Sequence, residues 1–542
     1  MKSANKSSYI WLPLAIALSV VVGIFVGNRF SNQKTTSEYD RKLNTILNLI
    51  ASDYVDTVSI NDLVELSIPQ ILSNLDPHTV YFSAKDLKAA DEELNGSFSG
   101  IGISFQIMND TVGVVEVIPG GPSEKVGIQA GDRIVSINDT TFVGAATVNI
   151  NSVSSKLRGV KGTKVKLGIK RSNSSKILTF TVTRDDISVK SVDTYYLIDK
   201  TTGYVKVNQF GRTTYDEFIN ALSSLKQEGA KRYIIDLRGN GGGYMEMAIL
   251  MVNEFLPENQ LIVYTKGRDK KDDSQVWSDG NGSFQDAELV VLIDEYSASA
   301  SEIFSGAIQD NDRGLIVGCR SFGKGLVQKQ FMLPDSSAIR MTIARYYTPS
   351  GRCIQKDYKK GEQAYEAELL NRYNNGELYS KDSIKIDKSQ IYKTTQGRTV
   401  YGGGGIVPDI FVPKDTSGIT GYYIKVLNAG LFQQFAFKYV DINRTALKKM
   451  KDYKQFLRML PPDDELLGDF VQYASQKDIP ARWYYINQSR DLILSELKAL
   501  IARDVFGNSA FYPILNRSDK TVFAALKALN RHDAAFPIRN SF

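Results

Sequence analysis

The chain has 542 residues, 42% hydrophobic and 23% charged, with a formal net charge of +6. That balance excludes a disordered chain, and without a dense Lys/Arg run interleaved with aromatics it argues against nucleic acid as a partner. Only two histidines, His78 and His532, and two cysteines, Cys319 and Cys353, are present. Neither histidine has a second His, a Cys or an HExxH pattern beside it, so no His/Cys metal site is expected. A Ser-His-Asp triad would have to recruit one of these two histidines.

In chain order, Lys2 and Lys6 precede IWLPLAIALSVVVGIFV at 10–26, a run of 17 residues without a charge. Residues 1–30 therefore read as a signal anchor or signal peptide. No small-x-small cleavage site and no cysteine for lipid attachment follow it, which favours the uncleaved anchor. The positive flank then stays inside, and residues from about 30 onward are exported. A short polar linker, 31–37, leads into a helical region over 38–95. There Leu43, Ile46, Leu47 and Ile50 recur with helical spacing, and no chemistry is visible.

At GSFSGIGISFQI the period becomes strand-like, and short strands with turns continue to about residue 187. The 96–187 region resembles a PDZ domain. Its GIGI at 100–103 matches the carboxylate-binding loop, and AGDRIVSIN matches a second landmark. The resemblance implies that Gly100, Ile101, Gly102 and Ile103 bind a substrate C-terminus. Consecutive N–H groups of such a loop form a nest for a carboxylate, and the next strand edge accepts a peptide.

Over 188–413 strands and helices alternate. YVKVNQF, KRYIIDLRGN, AELVVLIDEYSAS and RGLIVG read as strands, separated by amphipathic helices. The expected fold class is α/β and multidomain: an α/β core carrying an inserted PDZ-like β-domain between helical N- and C-terminal regions. LIVYTKG reads as a further strand of the alternation, and LVQKQFMLP with AIRMTIARYY as an antiparallel pair. Residues 414–542 are helical, without a chemical motif, and suit docking or self-association.

Two strand ends carry candidate chemistry, because ligands gather where such strands run into helices. DLRGNGGG lacks the GK[ST] of a phosphate loop, so its exposed amides suit an oxyanion or a structural turn. EYSASASEIF offers Ser297, Ser299 and Ser301, which local pattern alone does not separate. In SFGKGLVQ, Lys324 is flanked by glycines directly after a strand. Burial would depress its pKa and make it a base, and with histidine scarce a Ser-Lys pair is the most economical activated nucleophile.

SASASEIF, FGKGLVQ and DLRGNGGG, in that order after a PDZ-like domain, resemble the carboxy-terminal processing (tail-specific) serine proteases. LDPHTVYFS, YYTPSGRCIQ and GGIVPDI extend the likeness over about residues 40–412. In that family the middle serine of SxSxSE is the nucleophile and a lysine 25 positions on is the base. The resemblance thus implies Ser299 and Lys324 as catalytic, with Gln328 orienting the lysine. It also implies Ala300 and Gly242 as oxyanion donors and no metal or nucleotide cofactor. Implied partners are proteins or peptides with accessible C-termini, processed on the periplasmic side of a bacterial-type envelope. The N-terminal segment would bind the membrane, and a homo-oligomer or adaptor protein is compatible with the helical ends. Two departures stand out: Cys353 where serine is common, and about 45 inserted residues between Gln355 and Tyr401, expected as a surface excursion.

Overall fold

The computed structural model describes residues 38–535 and 537, apart from 109, 145, 172, 173 and 448. The apolar segment 10–26 lies outside the described residues. Among those described, no helix is long and apolar enough to cross a membrane. The chain divides into one compact unit up to Asn74 and another from Leu75 onward. The described part of the first holds two helices, Glu38–Asp53 and Ile60–Leu72. Ser59 caps the latter by accepting the Asp62 N–H at 3.3 Å.

The second unit is organised by a six-stranded sheet. Its order is Val192–Leu197, Thr202–Val207, Arg232–Asp236, Glu288–Ile293, Leu315–Gly318 and Ile410–Phe411. The first pair is antiparallel and the rest are parallel. Parallel strands need crossover helices, and these cover both faces, so the strands read as continuous apolar runs such as LVVLI. Val205, Ile235, Val291 and Ile316 face one layer, packed with Phe218, Phe255 and Phe304 of the crossover segments. Tyr204, Ile234, Val290, Leu292 and Val317 face the other, where Val522, Ala525 and Leu529 of the Lys520–Asn530 helix close the core. The last of the described helices thus covers the sheet, beyond the docking role read for the C-terminal block.

Leu261–Gly267 does not enter this sheet, contrary to the strand alternation read from the sequence. It pairs antiparallel with Ser274–Trp277 and with Ala338–Tyr347, which also pairs with Leu326–Met332 and Val80–Phe82. The reason lies in its burial: Leu261–Gly267 leaves Leu261, Tyr264, Lys266 and Gly267 partly or fully exposed, whereas Leu315–Gly318 is buried throughout. A strand wet on one face suits an antiparallel sheet.

The PDZ-like region is a sheet ordered Ile103–Met108, Thr111–Val117, Arg133–Ile137, Lys164–Lys170 and Ile177–Thr183, with Ile103–Met108 at its edge. Val112, Ile134, Leu167, Ile169 and Val182 fill its core with Val153 of the Ile150–Leu157 helix. The C-terminal helices build their own core around Phe432, Phe470 and Leu497. They meet the PDZ-like sheet where Phe437 lies against Gly113 and Arg444 against Gly131. Both cysteines are free thiols.

The 356–400 insertion is more than a surface excursion. Its Glu362–Asn374 helix buries Tyr365 and Arg372, and Glu377 and Leu378 are buried beyond it. Glu377 takes a bidentate pair from the buried Arg320, at 2.5 and 2.8 Å.

Candidate active site

Three strand ends of the central sheet converge. After Arg232–Asp236 the chain turns through Gly239–Gly243, held by the fully buried Asn240. The Asn240 amide donates to the Val207 carbonyl at 3.0 Å, and its carbonyl side chain accepts the Gly242 N–H at 2.9 Å. Gly242 has φ +103°, and a Cβ there would lie 2.7 Å from the Ala298 carbonyl and 2.8 Å from Ser299 Cβ. Only glycine lets the two turns touch at this point.

The second turn follows Glu288–Ile293. Ser297 donates to the Leu237 carbonyl at 2.8 Å and Ser301 to the Asn240 carbonyl at 2.9 Å. These two serines stitch the turns together. Ser299 differs, with φ 56° and ψ −114° directly before the Ala300–Asp310 helix. A non-glycine residue there is strained, and such strain gathers where a side chain must be presented at a sharp turn.

The third turn, after Leu315–Gly318, carries Lys324. A Cβ on Gly323 (φ +92°) would sit 3.1 Å from Gly404 and Gly405 backbone, so the lysine loop lies flat against neighbouring chain. Glu302 holds the loop to the serine turn. Its fully buried carboxylate accepts Ser321 Oγ (2.5 Å), Gly323 N–H (2.7 Å), Lys324 N–H (2.8 Å) and Ser299 N–H (2.9 Å). Burial pushes its carboxyl above the usual range, and these four donors pull it back. The Tyr346 hydroxyl adds a second tie, 2.6 Å from the Lys324 carbonyl and 3.1 Å from that of Ser299.

The Lys324 amine donates to Gln328 Oε1 at 3.2 Å, and the Gln328 amide donates in turn to the His78 carbonyl. Burial, then the Arg340 guanidinium, lower the lysine pKa, against Glu302 and Asp76, which raise it. The His78 ring bonds Tyr365 through Nε2 at 2.8 Å. Burial and the nearby Lys324 lower its pKa to about 4, so it is neutral at neutral pH. Asp76 anchors this segment, accepting Thr79 Oγ1 at 2.6 Å and Thr342 Oγ1 at 3.1 Å. Residues 75–95, read as devoid of chemistry, therefore supply one wall of the site.

Ser299, Lys324, Gln328, Gly242, Arg212 and Arg340 line one cavity of about 940 Å³. No hydrogen bond joins Ser299 Oγ to Lys324 Nζ among the described residues. The Ala300 N–H, first of its helix, has no acceptor among them either. The Gly242 N–H, expected as an oxyanion donor, is taken by Asn240. Glu302 lies within SASASE and Asp76 within LDPHTV, but nothing in either local pattern gives those side chains a role. Arg340 and Tyr346 gave no signal beyond residue type. In the PDZ-like region Gly102 has φ +75°, and a Cβ there would lie 3.0 Å from Ile187 and 3.2 Å from Pro122. The Ile101 carbonyl accepts from Ser123 (3.0 Å) and that of Gly102 from Ile118 (3.1 Å), while the Ile101 side chain is buried in the domain core. Among the described residues no group of His, Cys, Asp and Glu could hold a metal ion.

Residues 201–363 match the model of peptidase family S41, 113–171 a PDZ domain, and 422–507 a family of unknown function, DUF8443. The carboxy-terminal processing protease CtpA of Bacillus subtilis (strain 168) is 33% identical over 66% of this chain and 76% of its own. A carboxy-terminal-processing protease of Bartonella bacilliformis is 35% identical over 60% of this chain and 74% of its own. The solved photosystem II D1 C-terminal processing protease aligns at 25% identity over 68% of this chain and 92% of that one, with a TM-score of 0.35. Fold, motifs and relatives together define a serine-type peptidase carrying a PDZ domain. The chain belongs to the carboxy-terminal processing proteases of peptidase family S41.

Proposed function

We propose that the protein is a Ser-Lys endopeptidase that captures substrate C-termini on its PDZ domain and cleaves exported proteins from that end. One observation carries the reading: Ser299 and Lys324 face the same cavity, with the lysine partly buried, lowered in pKa and held by Gln328. His78, the histidine beside this site, has its ring engaged by Tyr365.

In this mechanism a substrate carbonyl enters between the serine and glycine turns. Ser299 Oγ attacks it while neutral Lys324 takes the hydroxyl proton, then delivers it to the leaving amine. Water attacks the acyl-serine ester, again giving its proton to Lys324, and Ser299 is released as the alcohol. The Ala300 N–H, at a helix start, is placed to meet the oxyanion. Gly242 N–H joins it only by leaving Asn240. Gly100–Ile103 and the Ile103–Met108 edge receive the tail. On this reading the apolar run 10–26 anchors the enzyme in a bacterial-type inner membrane with its catalytic part on the outer side.

The test is cleavage of a protein with an apolar C-terminal tail by the full chain. Ser299→Ala and Lys324→Ala each abolish turnover while the melting temperature holds. Undiminished cleavage by Ser299→Ala would sink the mechanism, and loss confined to Ser297→Ala would move the nucleophile.

A further inference from the structure

The insertion between Gln355 and Tyr401 grips the back of the lysine loop. Arg372, on the Glu362–Asn374 helix and 3% exposed, donates to the Ser321 carbonyl at 2.7 Å and the Phe322 carbonyl at 3.1 Å. Its Nε pairs with Glu368 at 2.6 Å, which fixes the plane of the guanidinium. Tyr365 lies two helical turns earlier on the same face. Its hydroxyl bonds His78 Nε2, and its ring meets Phe322 edge-on at 6.0 Å. The Lys356 ammonium sits over both rings, at 3.9 and 4.1 Å.

From the opposite side Glu302 takes the N–H groups of Gly323 and Lys324. The backbone of 321–324 is thus held by its amides on one face and by its carbonyls on the other. Both holds are buried and charge-assisted, about twice as strong as neutral hydrogen bonds. Glycines on either side of Lys324 would otherwise leave this loop free to shift. A second route runs through the side chain: Tyr365 holds His78, the His78 carbonyl holds the Gln328 amide, and Gln328 holds the lysine amine.

We propose that Arg372 and Tyr365 are positioning residues for Lys324, and that the 356–400 insertion braces the base of this protease. The inference rests on Lys324 being that base. Neither residue touches the amine, and Arg372 is not among the charges that shift it. They act by keeping the amine in place and away from water.

The experiment measures kcat and KM of the full chain across the alkaline range, on a protein substrate with a free C-terminal tail. Arg372→Ala lowers kcat about 10- to 100-fold with KM within about two-fold, as expected when a catalytic group is displaced by roughly an ångström. It also moves the alkaline rise of kcat to higher pH, because a loosened Lys324 regains water. Arg372→Lys restores part of the rate, since an ammonium can serve one carbonyl. Tyr365→Phe shows the same shift with a smaller loss, and Glu366→Ala, exposed on the same helix, shows neither. A folded Arg372→Ala with wild-type kcat and an unmoved pH profile overturns the proposal, as does a lowered melting temperature without either change. Should Arg372→Ala not fold, Tyr365→Phe decides by the same profile. Activity retained in Lys324→Ala overturns the Ser-Lys reading itself. An inert Lys324→Ala beside unaffected Arg372→Ala and Tyr365→Phe overturns only the brace.

Discussion

Oε2 of Glu302 accepts the backbone N–H of Lys324 at 2.8 Å, and the same oxygen accepts the N–H of Ser299 at 2.9 Å. One buried carboxylate therefore sets the distance between the two turns that carry the proposed nucleophile and base. Glu302→Gln places an amide where four donors converge, and its NH2 opposes some of them. A stability loss of about 1–3 kcal/mol is expected from the unsatisfied donors, with a larger proportional loss of kcat than change in KM. Thermal unfolding and steady-state kinetics on the same preparation check it.

Lys324 works as a base only when neutral. Because burial and Arg340 lower its pKa, the neutral fraction at neutral pH exceeds that of a solvated lysine. The rate should rise on the alkaline side, with a midpoint below the ordinary value of about 10.4. Arg340→Gln removes a lowering charge, so the midpoint moves to higher pH. A pH–rate profile of kcat for the two proteins reads this directly.

Gln328 is the tether of the lysine amine at 3.2 Å. Gln328→Met keeps length and loses the acceptor, leaving a four-carbon chain to sample other rotamers. A fall in kcat of about 10- to 100-fold with little change in KM is expected. Single-turnover acylation, which isolates the step in which Ser299 loses its proton, is the measurement.

His78 titrates at about 4 in the folded protein against 6.5 when exposed. Between those values the unfolded chain binds more protons, so stability is present above about pH 6.5 and is lost as pH falls toward 4. His78→Gln removes this dependence. Melting temperatures of both proteins at pH 7 and at about pH 5 compare the slopes; equal slopes would refute the assignment.

Gly102 holds the loop proposed to receive the substrate tail, at φ +75° with Ile187 and Pro122 packed against it. Gly102→Ala strains the loop by about 1–3 kcal/mol. Binding of a peptide with a free C-terminal carboxylate should weaken, while an amidated peptide, already poor, changes little. Calorimetric titration with the two peptides distinguishes them.

Much of the core was legible locally. LVVLI and the YII of the preceding strand are apolar at every position because both faces of a parallel sheet are covered, and that signature needs no knowledge of the cover. LIVYTKG misled, since its apolar start resembles theirs and only its antiparallel partner, Ala338–Tyr347, places it in the second sheet. Ser299 was separable from Ser297 and Ser301 by its 25-residue interval to Lys324 under the family likeness. The structure adds a physical distinction: the outer two are spent on the Leu237 and Asn240 carbonyls. The 356–400 insertion looked like surface because its charges are frequent, and Arg372 and Glu377 are buried only through partners far along the chain.

By itself the sequence displayed the chemistry on offer: few histidines, a serine and a glycine-flanked lysine at strand ends, and strands fated for a covered sheet. Residue type and short-range periodicity carry such information because they do not depend on what packs nearby. What surrounds Lys324 was decided only in three dimensions. Gln328 reaches a carbonyl 250 residues away, and Arg372 and Ser321 lie 51 residues apart. Whether a lysine is a solvated cation or a buried amine depends on the water such distant contacts exclude, and no local pattern encodes that.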